Sequence, residues 1–266
     1  MMHRITPVVK NLLILNVILF VATYIAGSQL NINLTRTLAL YYPGSQYFQP
    51  YQFVSYMFMH GGTFHLIFNM YALWLFGTAI ESDWGGKRFM VYYFFTGIGA
   101  AVLHLFVNYI IFSGMASQID AFQHNPTPEL FKSFVESNKS YFNQSVYDFI
   151  HRWSMAPENI SFISEALGTM NHVYRTAINI PTVGASGAVF GILLAFGMMY
   201  PNAQLMLLIP PMPIKAKWLV VGYGALELFL GFSRQGSNIA HFAHLGGMLF
   251  GFILIRYWMT QGRRRY

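Results

Sequence analysis

The chain has no cysteine among its 266 residues. That excludes a disulfide framework and a thiolate nucleophile. Charge is almost as scarce: Asp, Glu, Lys and Arg make up 9% of the residues, where soluble domains carry about 25%. No internal or low-complexity repeat is visible, and there is no inverted repeat of the kind expected in a transporter. A secretory signal peptide is not expected, because the first apolar run is long and no small-residue cleavage site follows it. What is abundant is apolar: 55% hydrophobic residues, 18% aromatic residues and a mean hydropathy of +0.42. The composition is that of a polytopic membrane protein. The net charge of +7 is no nucleic-acid footprint, since the positive residues sit in short clusters beside apolar runs.

A membrane-spanning helix needs roughly 20 apolar residues. Six segments qualify, at about 9–27, 64–81, 89–112, 182–200, 216–232 and 239–259. The fifth is the shortest and holds Glu227. Basic residues orient such a bundle. Arg4 and Lys10, Lys87 and Arg88, Lys215 and Lys217, and the terminal "GRRRY" all fall on one side if there are six spans. Both termini are then expected to be cytoplasmic. An odd number would put the two terminal clusters on opposite faces.

Two long segments are left for the outer side. Residues 28–63 are aromatic and turn-rich, suited to the membrane interface. Residues 113–181 differ in kind: "ELFKSFVESNKSYFNQSVYDFIHRW" and "ENISFISEALGTMNHVYRTAI" show helical apolar spacing with charges on the opposite face. The domain expectation is a membrane core of 1–112 and 182–266, with an outer-side helical insertion at 113–181.

Polar side chains inside a bilayer are costly, so each needs a reason. His65 and Asn69 lie near the start of the second span, Ser186 near the start of the fourth, and His244 about six residues into the sixth. All three spans run inward, so the four side chains share a depth within roughly 10 Å of the outer ends of their helices. Serine with histidine is a nucleophile with its general base. No acidic residue is obviously placed to orient the histidine, so the expected arrangement is a dyad.

Small residues allow the contact. Gly187 and Gly191 form a G-x-x-x-G in the fourth span, and Gly247 and Gly251 form another in the sixth. His244, Gly247 and Gly251 share one stripe of their helix. A close crossing of the two helices brings His244 toward Ser186. Ser186 also opens its helix, where free N–H groups stabilise an oxyanion. His65 and Asn69, at i and i+4, are natural side-chain donors to that oxyanion. Taken singly, each residue has a plainer reading: Ser186 as a packing residue, His244 and Asn69 as helix-contact groups. Glu227 reads as a hydrogen-bonded structural group, although an intramembrane carboxylate could also serve proton transfer. His60 and His241 read as supporting or interface groups without an assigned role. The combination at one depth favours chemistry.

At these residues the sequence resembles the rhomboid intramembrane serine proteases. The likeness runs through "HGGTFHLIFNMYALWLFGTAIE", "GASGAVFG" and "AHFAHLGGMLFG", in that order. It covers roughly 10–112 and 181–260 and implies a six-helix all-α rhomboid bundle. By that resemblance Ser186 is the nucleophile and His244 the base. His65 and Asn69 line the oxyanion hole, Gly184 sits beside it, and Glu81 is structural. Many rhomboids carry Trp-Arg in the first outer loop, where this chain has Tyr51-Gln52. The pair is structural in the family, so catalysis need not be lost.

The expected activity is endopeptidase cleavage of transmembrane protein substrates near their outer ends, within a lipid bilayer and with no metal or other cofactor. The expected location is a bacterial inner membrane. The insertion before Ser186 is expected to gate or select substrates. The alternative is a catalytically silent rhomboid-like protein that binds membrane clients, although such proteins typically lack the serine or the histidine. A metal or haem protein built on His60, His65, His241 and His244 is disfavoured, because no carboxylate-rich ligand set accompanies them.

Overall fold

The structure is a computed structural model, which describes residues 5–206, 211–233 and 239–263. Arg4, Arg264 and Arg265 of the terminal basic clusters lie outside the described residues. The protein is mostly helical and divides into two units. The first comprises 1–41, 47–105 and 181–266, and the second 42–46 and 106–180.

In the first unit, α1 (Pro7–Gln29) starts with proline at its first turn, where a missing N–H is no loss. Its remaining free donors are met by Glu81. Thr6 Oγ1 and the Val9 N–H donate to Oε2 at 2.5 and 2.8 Å, and the Val8 N–H donates to Oε1 at 3.0 Å. A carboxylate at a helix N-terminus satisfies both the orphan amides and the helix dipole. Glu81 thus ties α1 to the end of the second long helix, the structural duty expected of it.

The loop that follows carries α2 (Leu34–Leu38), α3 (Gln52–Ser55) and a 3₁₀ turn at Tyr56–Phe58. Gln52 is fully buried and knots this loop. Its amide donates to the carbonyls of Thr37 and Tyr47, and its oxygen accepts from the backbone of Tyr41 and Gln49. Gln52 therefore spends its side chain on the loop backbone.

The second long helix is built of α4 (Thr63–Ala72), a π-helical stretch at Leu73–Gly77, and α5 (Thr78–Trp84). Next comes α6 (Gly86–His124), 39 residues without a break. It runs past residue 112, where the apolar run ends, because nothing there interrupts a helix except the single Gly114. The boundary between the two units falls inside α6, between Leu105 and Phe106. The last elements are α10 (Ser186–Met199), a hairpin of β1 (Gln204–Met206) and β2 (Pro213–Lys215), α11 (Ala216–Ser233) and α12 (Ile239–Arg263). In the hairpin Leu205 pairs with Ile214.

Within the second unit, α7 (Pro128–Ser137), α8 (Ser145–Ser154) and α9 (Ile160–Ile178) pack with the end of α6 around their own core of Phe122, Phe131, Phe134, Trp153, Ala166 and Met170. The first amphipathic stretch, 129–153, is two helices rather than one. The break comes at Asn138, whose side chain bonds back to the Phe134 carbonyl at 2.8 Å. On the surface, Lys139 pairs with Glu136 at 2.6 Å and holds its carboxyl below the usual range, helped by a hydrogen bond from Tyr147.

Four helices among the described residues are long and apolar enough to cross a membrane: Pro7–Gln29, Thr63–Trp84, Gly86–His124 and His241–Gln261. The apolar α10 is shorter, at 14 residues. Large apolar side chains such as Ile18, Phe68 and Phe229 face outward. Surface of that extent suits a hydrocarbon solvent, not water. The protein is an integral membrane protein.

Candidate active site

The glycines decide how the helices meet. A Cβ on Gly247 would lie 1.8 Å from the Gly187 carbonyl oxygen, so α12 and α10 touch backbone to backbone. One on Gly187 would lie 2.4 Å from Ala100 Cβ, and one on Gly246 would lie 2.9 Å from Ala100 Cα, both on α6. The second glycine of each pair meets α6 instead: Gly191 faces Thr96, and Gly251 faces the Tyr92 hydroxyl. Tyr92 in turn donates to the Gly191 carbonyl at 2.8 Å. The expected two-helix crossing is therefore a three-helix contact, with α6 as the third wall.

One turn above Gly247, this approach sets the histidine against the serine. Ser186 Oγ lies 2.8 Å from His244 Nε2. Ser186 is the first residue of α10, and its neighbours' amides have no partner within the helix. The His244 ring lies flat on Phe190, with centroids 4.2 Å apart and an interplanar angle of 4°. Phe190 is four residues beyond Ser186, on the same face of α10. Sequence reasoning missed it, although the i+4 spacing was there to read.

Gly184 has φ +128°, a backbone conformation open to glycine and strained for other residues. A side chain there would also strike His65, with Cε1 at 2.9 Å and Nε2 at 3.0 Å, and would come 3.4 Å from Ser186 Oγ. His65, Gly184 and Ser186 therefore converge. Asn69 is buried, but its side-chain amide donates to the His65 carbonyl at 3.0 Å and so is engaged within its own helix. His60, in the loop before α4, packs its ring on His65 at 5.1 Å. Burial pushes the His60 imidazole down to about 4.

A carboxylate stands where none was expected. Glu227 of α11 is 7% exposed. Its Oε2 lies 2.6 Å from His241 Nδ1, in a hydrogen bond, and 3.1 Å from His244 Nδ1. His244 Nδ1 is itself buried and, among the described residues, has no aligned hydrogen-bond partner. One ligand atom from each of these three residues falls within 4.8 Å of the others, a spacing a metal ion would also tolerate. His241 Nδ1, at 2.6 Å, is already engaged in a hydrogen bond to that oxygen. Sequence reasoning read Glu227 as a structural or proton-transfer carboxylate and His241 as a supporting or interface group, and connected neither to His244.

Fold and site together describe a polytopic helical membrane protein that holds a serine and a histidine in hydrogen-bond contact at the start of a buried helix. The family model that matches is the Rhomboid domain, over residues 47–121 and 158–261. That is most of the chain, and the protein belongs to the rhomboid family. The break between the two matched segments, residues 122–157, falls in the second unit. A curated relative is "Rhomboid protein 1, mitochondrial" of Saccharomyces cerevisiae, 35% identical over 77 residues. The match covers 29% of this chain and 22% of that protein.

Proposed function

We propose that the protein is an intramembrane serine endopeptidase, with Ser186 as nucleophile and His244 as general base. The observation that carries this is the 2.8 Å contact between two side chains 58 residues apart, brought from different helices. In this mechanism a substrate transmembrane helix enters from the bilayer and unwinds locally near its outer end. Ser186 Oγ attacks the exposed carbonyl as its proton passes to His244 Nε2. The oxyanion is met by the free amides at the start of α10 and by His65. His244 then gives the proton to the leaving amine, and water hydrolyses the acyl-enzyme. Asn69 Nδ2 already donates one hydrogen to the His65 carbonyl and keeps its second N–H for the oxyanion site. Helix α11 and the short α10 complete a bundle of six spans, with the basic clusters and both termini on the cytoplasmic side.

The test is reaction of the purified protein, in proteoliposomes, with a fluorophosphonate probe and a fluorogenic transmembrane peptide. Labelling should map to Ser186, and cleavage should survive EDTA. A folded protein that binds transmembrane peptides, takes no label and cleaves none of a diverse panel is instead a client-binding member of the family.

The segment 113–181 is proposed to gate or select substrates. Deleting 118–175 should change relative cleavage rates across several substrates. Equal rates before and after the deletion would remove the proposal.

A further inference from the structure

We infer that Glu227 is a positioning residue for His244, so that the site works as a Ser186–His244–Glu227 relay, with His241 as the anchor of the carboxylate. The inference rests on the protease reading above. It starts from proton bookkeeping on one ring. To accept the Ser186 proton, His244 Nε2 must carry none, so the neutral ring bears its proton on Nδ1. That nitrogen is buried and has no aligned partner. The Glu227 oxygen 3.1 Å away is a short side-chain adjustment from accepting it.

The need grows during reaction. When Ser186 attacks, His244 becomes an imidazolium with one ring face covered by the apolar ring of Phe190. A carboxylate beside Nδ1 neutralises that charge, while the proton stays on the ring. Meanwhile His241 donates to the same oxygen at 2.6 Å and fixes it between α11 and α12. The Phe190 stack fixes the plane of the His244 ring, and the carboxylate beside Nδ1 selects, of the two orientations related by a flip about Cβ–Cγ, the one that turns Nε2 to Ser186. No bond to Glu227 is made or broken.

A carboxylate that merely bridges two helices would affect stability and not turnover. The full-length protein in proteoliposomes is therefore compared with Glu227→Gln and Ser186→Ala for kcat, KM and thermal midpoint on the same peptide. Glutamine keeps the shape and loses the charge. It should lower kcat by more than about threefold and by up to about 10⁴-fold, the loss on neutralising the acid of a serine-protease triad, and leave KM and the midpoint nearly unchanged. Wild-type activity that depends on Ser186, together with a Glu227→Gln kcat within about threefold of it, overturns the inference and leaves the protease reading standing. If Glu227→Gln does not fold, the wild-type phosphonate adduct decides. Its His244 Nδ1 proton should resonate far downfield, as a proton shared with a carboxylate does, and an ordinary imidazole resonance overturns the inference. Wild-type protein without turnover and without label at Ser186 removes the protease reading, and this inference with it.

Discussion

Alanine at position 186 removes cleavage of transmembrane peptides, and alanine at 244 removes it to a similar extent. Each should lower kcat by about 10³- to 10⁶-fold, the range seen when one member of a nucleophile–base pair is deleted. The double variant should be hardly worse than either single one. The physical reason is that Oγ and Nε2, 2.8 Å apart, act on one proton. A serine without its base is a poor nucleophile at neutral pH, and a base without the serine has nothing to activate. Additive losses would mean that the two side chains act independently. Cleavage that survives in Ser186→Ala would place the nucleophile elsewhere.

Adding one methyl group at position 247 is the second large effect. The Cβ of Gly247→Ala would sit 1.8 Å from the Gly187 carbonyl oxygen and 2.7 Å from its carbon. Both are backbone atoms, so no side chain can turn aside. The helices must separate by more than 1 Å, in order of magnitude, to restore a normal contact. Overpacking of this kind destabilises by about 1–3 kcal/mol or more. It also acts on the site, because Gly187 follows Ser186 and His244 lies one turn from Gly247. A displacement near 1 Å is enough to cost about 10²-fold in rate. We expect a lower thermal midpoint and a kcat/KM reduced by about that factor. Gly222→Ala is the matched control, since a Cβ there meets nothing within 4 Å. Wild-type stability and rate in Gly247→Ala would show that the helices do not touch at these residues.

The two predictions test different links. The first concerns the chemistry of a proton, and the second the packing that brings its donor and acceptor together. Glu81 and Gln52 serve the packing side. Each supplies one side chain to several orphan backbone groups, at the head of α1 and in the first loop. Buried away from water, those backbone groups need a partner, and each side chain supplies it.

By itself, the sequence determined the membrane class, the helical segments and the family. Apolar length, the scarcity of charge and the order of three short motifs are local properties of the chain. The serine, the histidine pair in α4 and α12 and the glycine stripes were legible for the same reason. Periodicity says which residues share a face of one helix. It is silent on which neighbour that face meets and at what height. Only the tertiary structure decided that Gly191 and Gly251 turn to α6 and not to each other, that Phe190 lies under the His244 ring, and that a Glu227 oxygen stands 3.1 Å from its buried nitrogen. Glu227 and His244 sit on helices whose relative height depends on how α11 and α12 pack. A carboxylate's distance to an imidazole in space has no counterpart in its spacing along the chain.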